Sequence, residues 1–274
     1  MAHDLARATP VPLLDVQLAK LKRLFGTRPA PAAPHRRIRL NSSAGTIYAV
    51  GDVHGRLDLL RDITARIEAD SRHFASATVI LLGDLIDRGP CSAQVLDFLL
   101  EQQRHSQLHW HSLVGNHEAL MLDFLRRPSP RAPWLAYGGS DTLMSYGATE
   151  AQVKSHNRKA LDALVQTLIP TEHVQFLQHL PVLIETAGHI FVHAGIRPGV
   201  ELSRQSDTDL MWFRDDLSSS FDTAPKPIVH GHTPVTEIYL TPHRIDIDTG
   251  AYQTGRLTAL RLADGSPPHV IATA

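Results

Sequence analysis

Thr46-Ile47-Tyr48-Ala49-Val50-Gly51-Asp52-Val53-His54-Gly55 is the stretch that sets the fold of this chain. Its first five residues are β-branched or apolar, the pattern of a buried strand, and they run directly into a glycine-flanked Asp-x-His. The arrangement recurs twice downstream. Ala77 to Leu82 leads into Gly83-Asp84-Leu85-Ile86-Asp87-Arg88-Gly89, and Leu108 to Val114 leads into Gly115-Asn116-His117-Glu118. Helical stretches from Leu57 to about Arg72 and from about Ser92 to His105 separate the three. Strands alternating with helices make βαβ units, so the fold class is α/β.

Outward from this block the pattern changes. Residues from about 118 to 180 are mostly helical, broken at Pro128-Ser129-Pro130 and Gly138-Gly139, and hold no obvious group of metal ligands. They read as a helical insertion bordering a cleft. Strands resume at His189 to Val192 and Pro227 to Val229. Segments around Ile238 to Leu240, Ile245 to Ile247, Leu257 to Leu262 and Val270 to Ile271 read as antiparallel strands. Residues 45–274 form the expected catalytic domain. Residues 1–44 are expected to be a short helix and a linker: Leu13, Leu14, Leu18, Leu21, Leu24 and Phe25 recur at helical spacing, and Arg28-Pro29-Ala30-Pro31-Ala32-Ala33-Pro34 cannot continue a helix. The helix is short and weakly basic, which favours packing on the domain over a membrane surface.

Composition narrows the function. In 274 residues, 27 basic and 28 acidic side chains nearly cancel, so no basic field draws the chain to nucleic acid. No apolar run is long enough to span a bilayer, and no secretory leader is visible. Cys91 is the only cysteine, which rules out an internal disulfide and fits a reducing, cytoplasmic setting. Nothing around Cys91 marks it as a nucleophile.

The chemistry lies at the strand tips. Asp52/His54, Asp84/Asp87, Asn116/His117, His193 and His230/His232 each follow an expected strand, with glycine close by. The C-terminal edge of an open α/β sheet is where ligands bind. Any one of these motifs alone is commonly a turn or a packed histidine, and the chain has 17 histidines, most of them elsewhere. Five in order, each at a strand end, are not coincidence. Side chains two apart on extended backbone point the same way, so Asp52 and His54 are expected to grip one ion together. Carboxylate, imidazole and amide ligands without thiolate suit Mn²⁺, Fe or Zn²⁺. Asp84, in the middle of the set, is the natural carboxylate to bridge two ions.

Taken together, Gly51-Asp-Val-His-Gly55, Gly83-Asp-Leu-Ile-Asp-Arg-Gly89, Gly115-Asn-His-Glu118, His193-Ala-Gly195 and Gly231-His-Thr233 resemble the calcineurin-like metallophosphoesterases, in their phosphoprotein phosphatase branch. Trp212-Phe213-Arg214 and Asp248-Thr249-Gly250-Ala251 extend the likeness to the bacterial and phage serine/threonine phosphatases. The likeness spans about Ile47 to Ala251. It implies a four-layer fold, a central β-sandwich of mixed sheets flanked by helices. It implies two divalent metal ions, manganese foremost: one on Asp52, His54 and Asp84, the other on Asp84, Asn116, His193 and His232. It further implies a bridging hydroxide as nucleophile, Arg88 and Arg214 on the phosphate oxygens, and His117 as the acid, oriented by Asp87. The implied substrate is a phosphorylated protein or peptide, on serine or threonine, with phosphotyrosine within reach as well.

Two departures qualify the likeness. Pro234 stands where many relatives outside this branch have a second histidine, and Val114 stands where eukaryotic members have arginine. His230 is expected not to be a ligand, Glu118 to brace its loop or cap the following helix, and Arg197 to be a solvated loop residue. The rival substrate is a dinucleoside tetraphosphate cleaved symmetrically, against which Asp87-Arg88 and Gly-Asn-His-Glu weigh. A phosphate-binding module without turnover is the third reading, and the presence of every ligand and of His117 weighs against it.

Overall fold

The fold is described from a computed structural model covering residues 35–40, 45–214 and 224–274. The expected N-terminal helix and the Pro/Ala linker lie outside the described residues.

β2 (Thr46–Val50), β3 (Ala77–Leu81) and β4 (His109–Ser112) pair in parallel, joined by helices α1 (Leu57–Ser71) and α2 (Ser92–His105). This is the βαβ block expected from the alternation. β10 (Thr258–Leu262) and β11 (His269–Ala272) add antiparallel strands beyond β2, giving the order β11-β10-β2-β3-β4. A second sheet runs β1-β5-β6-β7-β9-β8. Its inner strands β6 (Ile190–Val192), β7 (Ile228–His230) and β9 (Arg244–Asp246) are mutually parallel, while β8 (Tyr239–Leu240) is antiparallel to β9. The 245–247 segment, expected as antiparallel, thus joins β7 in parallel register, with Val229 opposite Ile245. β1 (Arg37–Arg39) follows the Pro/Ala linker, within the segment 1–44 for which no strand was expected, and pairs in parallel with β5 (Leu183–Glu185), a strand not anticipated from sequence.

Alternation within the strands builds two cores. Ile47, Ala49, Ile80 and Leu82 meet Phe191, Val229 and Ile245 in one apolar layer shared by the two sheets. The other face of β2 and β3, with Tyr48, Val50, Val79 and Leu81, packs with Leu60, Ile63 and Ile67 of α1 and Val95, Leu96 and Leu99 of α2. Those helical residues recur three and four apart, so each helix buries one stripe. The result is two mixed sheets flanked by helices. Truncating a fully buried member such as Leu82 to alanine would cost about 2–5 kcal/mol.

The insertion is helical, as expected: α3 (Asn116–Arg126), a π-turn (Leu135–Gly139), α4 (Ser140–Ser145), α5 (Glu150–Val153), α6 (Arg158–Leu168) and α7 (Thr171–His179).

Candidate active site

The parallel strands of both sheets present their C-terminal ends to one place. β2 delivers Asp52 and His54, β3 delivers Asp84, Asp87 and Arg88, and the β4–α3 junction delivers Asn116 and His117. From the second sheet, β6 ends at His193 and β7 runs into Gly231-His232. The edges are stitched together. His193 Nδ1 faces the Leu82 carbonyl at 2.8 Å, and the His232 amide donates to Asp52 Oδ2 at 3.2 Å.

The backbone is strained at this point. Among the described residues, five non-glycine residues have positive φ: His54, Asp84, Asp87, Arg88 and His232. All five are expected site residues. Each such conformation costs on the order of 1–3 kcal/mol and persists only where the surroundings enforce it. It also corrects the reasoning for Asp52 and His54. With φ 45° at His54 the loop is not extended, so the two side chains are not brought together by strand alternation. His232 is left-handed as well, at φ 69°. His230 instead accepts from Arg244 Nε at 2.9 Å, buried beneath the site.

Ligand-capable atoms of His54, Asp84 and His117 lie within 4.8 Å of one another, and so do those of Asp84, His193 and His232. Asp84 is common to both groups. Asn116 Oδ1 stands 3.0 Å from His193 Nε2, which is 3.1 Å from His232 Nδ1. His54 Nδ1 faces the Ile86 carbonyl at 2.9 Å. A proton shared with a carbonyl belongs on the ring nitrogen, so Nδ1 of His54 and of His193 carries hydrogen and Nε2 of each is the nitrogen facing the cluster, a lone-pair donor in the case of His54. Gly115 allows the packing: a Cβ there would lie 2.2 Å from Asp84 Oδ1.

Electrostatics points the same way. Burial, reinforced by Asp248 and Asp84, pushes the Asp52 carboxyl well above its usual range. Burial likewise raises Asp248. Asp84, though buried, is held well below the ordinary value by His193 and His117. Burial keeps His54 and His232 neutral, far below the ordinary imidazole value, helped by His117 for the first and Arg214 for the second. Buried carboxylates that repel one another beside neutral imidazoles are a donor set suited to hard or borderline dications. The residues therefore fit a pair of divalent metal ions.

Around the cluster stand the remaining expected residues. His117 Nδ1 is 2.6 Å from Asp87 Oδ2, both fully buried. Arg88 Nη1 donates to His54 Nε2 at 2.9 Å, with its guanidinium 4.6 Å from the Tyr252 ring centroid. Arg214 Nε donates to His232 Nε2 at 2.8 Å. Burial lowers the Arg214 pKa from its very high ordinary value, and Asp84 opposes this. Glu118 braces the loops, as expected. Oε2 accepts from the Asp84 and Gly115 amides at 2.9 and 2.8 Å, and Oε1 from those of Leu85 and Ile86 at 2.8 and 3.3 Å. Burial and Asp84 push its carboxyl up to about 7. Arg197 pairs with Asp209 at the surface.

Three residues escaped the sequence reading. Trp134 and Thr142 of the insertion donate to Asp87, and Tyr252 lies under Arg88. The Gly138-Gly139 break after Trp134 was the available signal for the first two: it marks a π-turn, a feature frequent at functional sites.

A family model described as calcineurin-like phosphoesterase matches residues 45–272. An asymmetrical bis(5'-nucleosyl)-tetraphosphatase PrpE of Oceanobacillus iheyensis is 24% identical over 241 residues, covering 80% of this chain and 89% of the relative. Serine/threonine-protein phosphatase 2 of Escherichia coli is 29% identical over 229 residues, covering 79% and 92%. A crystal structure whose name proposes a diadenosine tetraphosphatase superposes with a TM-score of 0.62 at 22% identity, covering 88% of this chain and 99% of the other.

Proposed function

This chain belongs to the calcineurin-like phosphoesterases, and we propose that it removes phosphate from serine and threonine side chains of proteins or peptides with the help of two divalent metal ions, manganese foremost. A cytoplasmic setting is part of the proposal, resting on the single cysteine. The described residues contain no helix long and apolar enough to cross a membrane.

The observation that carries the substrate reading is the buried Asp87–His117 pair at 2.6 Å, at the edge of the cluster. A serine or threonine alkoxide leaves poorly and needs a proton as its P–O bond breaks. A nucleotide leaving from an anhydride departs as a stable phosphate anion and needs none. A dedicated acid is therefore worth its burial chiefly for alkyl monoesters, where it contributes about 10²–10⁴-fold.

In this reading Asp52, His54 and Asp84 would hold one ion, and Asp84, Asn116, His193 and His232 the other. When bound, the ions supply a nucleophile from water at neutral pH and neutralise charge on the phosphate. Arg88 and Arg214 stand beside different imidazoles, His54 and His232, and their planar guanidinium groups are suited to clamp phosphate oxygens. They stabilise the transition state more than the ground state, because charge builds on those oxygens.

The likeness to the PrpE relative favours a second reading, hydrolysis of a dinucleoside tetraphosphate, cleaved asymmetrically as that relative's name states rather than symmetrically. With Mn²⁺ added, phosphate release from phosphoserine, phosphothreonine and phosphotyrosine peptides should be compared with cleavage of diadenosine tetraphosphate. We expect the highest kcat/KM on the serine and threonine peptides. Preference for the dinucleotide would overturn that choice, and failure on every ester would leave a phosphate-binding module.

A further inference from the structure

We propose that Trp134 and Thr142, both in the helical insertion, are positioning residues that hold Asp87, and through it the ring of His117, for protonation of the leaving group. The proposal rests on the reading of His117 as the acid.

Asp87 is fully buried, and both of its carboxylate oxygens are committed. Trp134 Nε1 donates to Oδ2 at 2.8 Å, the same oxygen that faces His117 Nδ1. Thr142 Oγ1 donates to Oδ1 at 2.6 Å. The Asp87 amide is shared between Ser92 Oγ at 2.9 Å and Thr142 Oγ1 at 3.0 Å. Thr142 thus grips the backbone and the side chain of one residue. Asp87 and Arg88 are successive left-handed non-glycine residues, a strained pair, and the π-turn closes over them. A Cβ at Gly138 would lie 2.5 Å from the Arg88 amide nitrogen, so the insertion rests directly on the strained backbone.

The donors decide more than position. An indole N–H can only donate. With Trp134 on one oxygen and Thr142 on the other, Asp87 is an acceptor on both, so the proton between Asp87 and His117 belongs on Nδ1. Nε2 is then the nitrogen turned toward the cluster, 3.8 Å from Asp84 Oδ2. From there its proton passes to the leaving oxygen as the P–O bond breaks. The terminal torsion of an aspartate is broad. Without its two donors the carboxylate can rotate, and the imidazole loses the partner that fixes its plane.

A positioning role of this kind predicts loss that scales with leaving-group basicity. The full-length, manganese-loaded protein is assayed with 4-nitrophenyl phosphate, with less activated aryl phosphates and with a phosphoserine peptide. W134F and T142V should lower kcat at least tenfold on the most basic leaving groups, with KM within about twofold, and less than threefold on 4-nitrophenyl phosphate. T142S, which restores the hydroxyl, should recover the rate. Neither W134F nor T142V should add to the loss in H117N. Equal loss on all esters, or no loss on the basic ones, would overturn the proposal. Should W134F fail to fold, T142V against T142S decides it. If H117N shows the leaving-group dependence and W134F and T142V do not, only this proposal falls. If H117N itself loses equally on every ester, the acid assignment falls and this proposal with it.

Discussion

Replacing Glu118 with alanine tests the scaffold on which the site stands. Its two carboxylate oxygens accept four backbone N–H groups, from Asp84, Leu85, Ile86 and Gly115, at 2.8–3.3 Å. It thereby ties the loop after β3 to the loop after β4 from a position with no solvent exposure. The helix relation is ordinary, a third-position carboxylate reaching back to the residue before the helix. The other three bonds are tertiary. Alanine removes every acceptor and leaves four buried donors. A stranded buried donor costs about 1–3 kcal/mol. Taking the low end for each, because water can enter the gap, the loss is about 4 kcal/mol. That is a large share of the 5–15 kcal/mol typical of whole proteins. In thermal unfolding of metal-free protein it corresponds to a fall in Tm of roughly 8–16 °C for a chain of this size. Urea denaturation should agree, and hydrogen exchange should show protection lost first at the four amides. A loss below about 1.5 kcal/mol, with those amides still protected, would refute the brace and with it the argument that Glu118 holds the Asp84 loop.

Other outcomes follow from the same geometry. His230→Ala should leave the metal stoichiometry unchanged while lowering stability by about 2–4 kcal/mol, because buried Arg244 loses an acceptor; loss of one ion on elemental analysis would make His230 a ligand after all. Asp84→Asn should lose both ions, and a variant that keeps two tightly bound ions would contradict the shared-carboxylate assignment. Away from the site, Asp70 accepts from Tyr48 Oη at 2.6 Å and from Arg261 at 2.7 Å, and although burial opposes it, these donors hold its carboxyl below the ordinary value. A depressed folded pKa stabilises above the unfolded value of about 3.9 and the benefit is lost as pH falls below it. Wild type should therefore lose its stability margin over Asp70→Asn, about 1 kcal/mol at pH 7, as the pH drops below about 4. A margin that stays constant down to pH 2.5 would contradict the shift.

Much of this site was legible because its signals are local. A buried strand, a glycine and an oxygen or nitrogen ligand lie within ten residues of each other at Asp52, Asp84 and Asn116, and the strand tips of a parallel sheet converge without further instruction. What stayed hidden is what depends on distant partners. β1 and β5 have three residues each, too few for a period to emerge, and each is defined by the other. β9 takes its parallel direction from β7, which no pattern within 244–246 encodes. Asp52 and His54 do not align as their spacing predicts because the His54 backbone turns left-handed, a strain maintained by neighbours elsewhere in the chain. Trp134 and Thr142 reach Asp87 from 47 and 55 residues away, so in sequence they resemble any other residues of a helical layer.

The central claim is that donors at the strand tips of two sheets enclose a pair of cations with Asp84 between them. Anomalous diffraction from crystals grown with excess Mn²⁺, supported by elemental analysis of the dissolved protein, measures this directly. The account predicts two peaks per chain, 3.5–4 Å apart as in other two-metal hydrolases, both touching Asp84. A single peak, none, or two that do not share Asp84 would contradict it.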